Sequence, residues 1–199
     1  MTKNKKIIKE IGNWTFSLLG AFAMAMVLNS KVFATVKVEQ RSMENTLFSN
    51  QKLILDKLSY NFVEPKRGDI IIFFENGQRG TIVDDTVKFI NNIKSKVDNT
   101  DVDKRMVKRI IGIPGDEINI KGGYVYINGE KLTEPYAKDQ TSSGILNFPI
   151  EVPNNKLFVL GDNRPVSSDS REFGLIDYNQ VEGKAVFRVF PFNEIGAIK

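Results

Sequence analysis

Between Glu10 and Lys31 the chain runs for 20 residues, Ile11 to Ser30, without a single charge. As an α-helix rising about 1.5 Å per residue, this segment would be about 30 Å long, the thickness of a bilayer's hydrocarbon core. Its centre, Trp14 to Leu28, is apolar apart from Thr15 and Ser17, while Asn13, Asn29 and Ser30 make the ends more polar. Four lysines precede it, Lys3, Lys5, Lys6 and Lys9, which predicts an N-terminus held in the cytoplasm and a remainder outside. A cleaved export signal would share the basic and apolar regions, with Val32-Phe33-Ala34 as its cleavage site. On either reading, the chain beyond Ala34 is exported. The expected division is a cytoplasmic tail and single transmembrane anchor over 1–34 and an extracytoplasmic domain over 35–199.

The anchor also explains the charge balance. The 28 Lys and Arg against 24 Asp and Glu give +4. The four N-terminal lysines and Glu10 account for +3, which leaves +1 for the rest of the chain. The basic excess therefore sets membrane orientation and marks no groove for nucleic acid. The chain has no Cys and no His, which excludes a disulfide framework, a thiolate nucleophile, an imidazole base and an ordinary zinc site. No cofactor or metal is expected. A hydrolase built from these residues would need Lys or a carboxylate as its base.

From Thr35 onward, short β-like runs alternate with turn residues. Val36 to Ser42 alternates with period 2, which predicts a strand carrying Val36, Val38, Gln40 and Ser42 on one face. Further strands are predicted over Leu53 to Leu58, Asp69 to Phe74, Val107 to Ile113, Glu117 to Ile120, Tyr124 to Ile127, Leu157 to Leu160 and Ala185 to Phe190. Asn128-Gly129 and Lys121-Gly122-Gly123 are hairpin signals. Ile90 to Asp103 reads as a surface loop or short helix, and Asp139 to Gly144 as a loop. With almost no amphipathic helix after residue 35, the pattern predicts a mainly β domain, a folded antiparallel β-sheet or barrel-like arrangement.

Three segments could carry chemistry. Ser42 stands where the first strand ends, so its hydroxyl can be exposed beside free backbone N–H groups, although a lone serine is ordinarily only a surface hydroxyl. Lys108 lies in Met106 to Asp116, and on a strand it shares its face with Met106 and Ile110. A lysine there can snorkel from a strand edge. Buried, its pKa would fall until the neutral amine could accept a proton, which is what a serine nucleophile requires. The loop Gly161 to Gly174 gathers charged, amide and hydroxyl groups directly after a strand. It is either a solvated turn or a supporting network in which Ser167 holds the Lys108 amine and an Asp169–Arg171 pair fixes the loop.

These three segments, with Arg67 to Phe73, resemble the sequence boxes of the bacterial type I signal peptidases, in the same order and at compatible spacing. The pattern Ser-Met-x-Pro-Thr-Leu appears as Ser42 to Leu47, and Lys-Arg-x-x-Gly-x-Pro-Gly-Asp as Lys108 to Asp116. Gly-Asp-Asn-Arg-x-x-Ser-x-Asp-Ser-Arg-x-x-Gly appears as Gly161 to Gly174. The resemblance implies a membrane-anchored serine endopeptidase that removes signal peptides from exported pre-proteins after small residues, of the Ala-x-Ala type. It implies Ser42 as nucleophile, Lys108 as general base, Ser167 orienting Lys108, and Asp169 with Arg171 bracing the site. Val36, Val38, Met106 and Val107 would line the pockets for the small substrate side chains.

The chain departs from that pattern beside Ser42. Gln40 stands where Ser or Gly is usual, and its amide would either donate to the oxyanion or obstruct the pocket. Asn45 replaces the usual Pro, which predicts a looser turn, and Glu44 adds a negative charge. These departures leave room for a second reading, an assembly factor that binds or processes a dedicated pilus or surface subunit. A self-cleaving repressor would share the Ser/Lys dyad but needs a DNA-binding segment where this chain has its apolar span. Arg67-Gly68-Asp69 matches a cell-adhesion tripeptide but leads straight into an apolar strand. Ser49-Asn50-Gln51-Lys52 matches the Ser-x-x-Lys of penicillin-recognising enzymes, yet the chain contains no Lys-Thr-Gly after it.

Overall fold

The computed structural model describes residues 10–22, 32–75 and 104–198. Residues 10–22 are helical and exposed along their whole length, with Trp14 and Phe16 the most open of their large apolar side chains. Among the described residues no helix is long and apolar enough to cross a membrane. The expected span continues through residues 23–30, which lie outside the described residues, as does the loop or short helix expected over 90–103.

The described residues form twelve strands: β1 (Phe33–Lys37), β2 (Lys52–Asp56), β3 (Ile70–Phe74), β4 (Arg105–Gly112), β5 (Glu117–Lys121) and β6 (Tyr124–Ile127), then β7 (Glu130–Lys131), β8 (Ile150–Glu151), β9 (Lys156–Leu160), β10 (Ile176–Asp177), β11 (Val181–Phe190) and β12 (Gly196–Ala197). They make two antiparallel sheets. The larger runs β1-β2-β11-β3-β4-β9-β10, with β12 beside β11, and the smaller runs β7-β6-β5-β8. The mainly β expectation holds in this form, and the larger sheet's path is open, with β1 and β10 at its ends.

At the centre of the larger sheet, β3 is buried on both faces, so its sequence is continuously apolar and not alternating. In β3 all five residues are buried. Ile70 and Ile72 pack with Val38, Leu53 and Leu55 on one side, while Ile71 and Phe73 pack with Met106 and Ile110 on the other. A third cluster joins the sheets, with Ile111, Phe158 and Leu160 of the larger packed on Ile118, Val125 and Ile127 of the smaller. Both expected hairpins form. Gly122 and Gly123 link β5 to β6, and Asn128-Gly129 links β6 to β7, all four with positive φ, as two-residue turns matched to strand twist require.

One expectation changes beside the site. The strand predicted through Ser42 ends at Lys37, and Ser42 lies in a run of turns over 41–46. Val38 still bonds across to the β2 side, its N–H donating to Gln51 O at 2.9 Å and its carbonyl accepting from Asn50 N–H at 2.7 Å. Beyond it the chain leaves the sheet, so Gln40 is exposed while Ser42 is 7% exposed. The alternation is structural as far as Val38 and then meets a turn.

Candidate active site

Strand β4 delivers Lys108 to the interior. Its neighbours on the same face, Met106 and Ile110, are buried, and it sits directly across from the buried Ile71 of β3. Lys108 itself is 1% exposed, and its Nζ lies 2.7 Å from Ser42 Oγ. Burial brings the Lys108 pKa down from 10.5 to about 8. Asp169 opposes that fall and Arg171 adds to it.

Ser42 is held by the turn on its C-terminal side. Glu44 N–H donates to Arg41 O at 3.2 Å, Thr46 N–H to Met43 O at 3.0 Å and Leu47 N–H to Met43 O at 2.8 Å, while Met43 and Leu47 are buried beneath. Asn45 has φ 100°, a conformation closed to proline, whose ring fixes φ near −65°. Its Nδ2 reaches Tyr136 O at 3.3 Å. The turn is therefore pinned and not loosened: it uses a geometry that the usual Pro could not adopt. Glu44 does not stand free beside Ser42 either. Its carboxylate accepts from Arg41, from Asn163 Nδ2 and from Lys138 Nζ.

The loop after β9 packs against this turn. Asp169 caps the one-turn helix Ser170–Phe173, accepts from Gly161 N–H at 3.0 Å, and is gripped by Arg171 through Nε at 2.7 Å and Nη2 at 2.8 Å. The expected Asp169–Arg171 pair thus forms. Ser167 is 6% exposed, and its Oγ has no hydrogen-bond partner among the described residues. It reaches the site without bonding Lys108. Gly161 packs tightly between the two segments, since a Cβ there would run into Ser42 O and Ser167 Oγ.

A groove of about 420 Å³ opens in front of Ser42, lined by Val36, Val38 and Gln40 on one side and Arg105 and Val107 on the other. Met106 is not among its lining residues. It is 2% exposed and packs with Phe73 and Ile110 on the opposite face of β4. Alternation sends the Val107 and Met106 side chains to opposite faces of the strand.

The sequence pattern assigns no role to the ion pairs that carry the site. Arg109 donates to both oxygens of Asp162 at 2.9 and 2.8 Å, to Gly68 O and to Thr46 Oγ1. Arg164 grips Glu134 through Nη2 at 2.7 Å and Gly161 O through Nε at 3.0 Å. The only local signal is a run of charged residues straight after the apolar β9, where a solvated turn and a buried network look alike. No group of three or more metal-ligating side chains occurs among the described residues.

A hydroxyl within bonding distance of a buried amine of lowered pKa, at the edge of a groove that holds Val36, Val38 and Val107, is equipped for nucleophilic attack on a carbonyl. Comparison with known proteins gives the family. The profile of the signal peptidase, peptidase S26 family matches residues 11–190. A signal peptidase I of Bacillus licheniformis is 34% identical over 98% of this chain and 98% of its own length. Another, from Bacillus caldolyticus, is 37% identical over 98% and 97%. A crystal structure of a signal peptidase I from Enterococcus faecalis aligns over 61% of this chain and 97% of that one, with 30% identity and a TM-score of 0.40. The chain belongs to the signal peptidase family, peptidase S26.

Proposed function

We propose that this is a membrane-anchored serine endopeptidase that removes signal peptides from exported pre-proteins after small residues. Ser42 is the nucleophile and Lys108 its general base. The observation that carries the reading is the 2.7 Å approach of the buried Lys108 Nζ to Ser42 Oγ, with an amine pKa of about 8 that leaves a useful neutral fraction near neutral pH. The pre-protein lies extended in the groove, where Val36, Val38 and Val107 leave shallow apolar space suited to Ala. Neutral Lys108 takes the Ser42 proton as Oγ attacks the scissile carbonyl. The resulting tetrahedral intermediate expels the amine of the mature protein with the proton returned by Lys108, and water hydrolyses the acyl-enzyme left behind. Met106, on the same face of β4 as Lys108, helps keep the lysine's surroundings dry. Asp169 and Arg171 fix the loop that carries Ser167, and the unpartnered Ser167 Oγ is free to bond the amine during turnover.

The anchor reading draws support from the start of β1. Phe33 and Ala34 pair with Asp56 and Leu55, so cleavage after Ala34 would strip two residues from a sheet strand. Residues 1–34 are retained on this reading, with the N-terminus cytoplasmic.

The test uses detergent-solubilised full-length protein, a pre-protein with Ala-x-Ala at its cleavage site, and the variants Ser42→Ala and Lys108→Met. Cleavage by the wild type and a loss of roughly 10⁴-fold or more in each variant is the expected result. Cleavage that survives in either variant would overturn the dyad. A pre-protein bound but never cut by the wild type would favour the assembly-factor reading.

A further inference from the structure

Asn163, two residues beyond Gly161, is 3% exposed. Its backbone is locked against the loop at Lys138, whose N–H donates to Asp162 O at 2.7 Å and whose carbonyl accepts from Arg164 N–H at 3.3 Å. From there Asn163 holds two successive carbonyls. Its backbone N–H donates to Ser42 O at 3.0 Å, and its Nδ2 donates to Arg41 O at 3.1 Å and to Glu44 Oε2 at 3.1 Å. Both side-chain partners only accept, which fixes the orientation of the amide.

The peptide unit joining Arg41 to Ser42 is planar and trans, so its C=O and N–H point in opposite directions. Tying Arg41 O to the Asn163 side therefore turns the Ser42 N–H to the other side. Among the described residues that N–H donates no hydrogen bond. It is a free donor on the nucleophile itself, held in direction by a side chain on a different loop.

We propose that Asn163 is a positioning residue for the oxyanion site, fixing the direction in which the Ser42 N–H meets the developing charge. The inference rests on Ser42 being the nucleophile. As Oγ bonds to the scissile carbon and its proton passes to Lys108 Nζ, the carbonyl π pair moves onto the carbonyl oxygen, and the pre-aimed N–H stabilises that oxygen. Such stabilisation acts on the transition state more than on bound substrate, so losing the aim lowers kcat and leaves KM near its original value.

Asn163→Ala removes the Nδ2 bonds and keeps the backbone bond to Ser42 O. Asn163→Asp keeps the shape and replaces the donor with an acceptor. Both are compared with wild type and Ser42→Ala on the Ala-x-Ala pre-protein, with full kinetics across pH and a thermal melt of each protein. The expected result is a fall in kcat of about 10- to 100-fold in both variants. KM should stay within about threefold, and in Asn163→Ala, which adds no charge, the pH midpoint should not move, because Lys108 is untouched; in Asn163→Asp the new carboxylate can raise it. Folded variants with wild-type kcat, a loss confined to KM, or a shifted pH midpoint in Asn163→Ala would each overturn the positioning role. If the Asn163→Ala melt collapses, the decision falls to Asn163→Asp, and wild-type kcat there overturns the role. An inactive wild type or an active Ser42→Ala would instead overturn the nucleophile reading, and this role with it.

Discussion

On β4, Lys108 and Arg109 are consecutive cations, 1% and 3% exposed, and their surroundings differ in the supply of carboxylates. Arg109 meets Asp162 through two bonds and lies 4.0 Å from the centre of the Tyr136 ring. Lys108 meets a hydroxyl. The carboxylate that most favours its charged form, Asp169, is already engaged by two nitrogens of Arg171. A buried cation given a carboxylate stays charged and binds segments together. One denied a carboxylate gives up its proton more readily, and that is the property a general base needs. Alternation along the strand sends the two side chains to opposite faces, so a single strand supplies both kinds of site.

The sharpest way to break this comparison is to deprive Arg109 as Lys108 is deprived. Asp162→Ala leaves a buried guanidinium without its counter-charge and also removes the acceptor for Thr46. A loss of about 3–5 kcal/mol in denaturant unfolding is expected. A loss below about 1 kcal/mol would show that Arg109 does not depend on that pair.

Lys108→Met should act in the opposite direction. A pKa lowered from 10.5 to about 8 means that folding disfavours the charged amine. Below about pH 8 both states are protonated and the full penalty, of order 3 kcal/mol, is present. Between pH 8 and 10.5 the unfolded chain holds more protons, so wild-type stability rises with pH. The variant should be more stable than wild type at neutral pH by up to about 3 kcal/mol, and the gap should close as pH rises. A destabilised variant with no such convergence would contradict the account.

Gln40 sharpens the contrast from the solvent side, since it lines the same groove but is exposed. If its amide is the second oxyanion donor, Gln40→Ala lowers turnover roughly 10²-fold and leaves the melting temperature unchanged. Turnover at the wild-type rate would remove Gln40 from the mechanism.

Much of this architecture is legible in the sequence. The apolar runs of β2, β3, β4 and β9 announce their strands, the Asn128-Gly129 turn announces its hairpin, and period 2 places Met106 and Ile110 on the face of Lys108. What cannot be read locally depends on partners far away in the chain. Alternation continues past Val38 and so puts Gln40 on a strand, whereas the hydrogen bonds to Asn50 and Gln51 end the pairing at Val38. The family resemblance assigns Met106 and Val107 to one groove, although alternation itself separates them. Arg109 and Asp162 are 53 positions apart, and Asn163 reaches back more than a hundred residues to Arg41 and Glu44. No local pattern encodes such closures.

Burial without a free carboxylate prepares Lys108 as the base. The most direct measurement is kcat/KM for the Ala-x-Ala pre-protein between about pH 6 and 10, which reports the free enzyme's essential base. The account predicts activity that rises with pH through a midpoint near the lowered Lys108 value of about 8. A rate independent of pH, or a midpoint at the ordinary lysine value of 10.5, would contradict it.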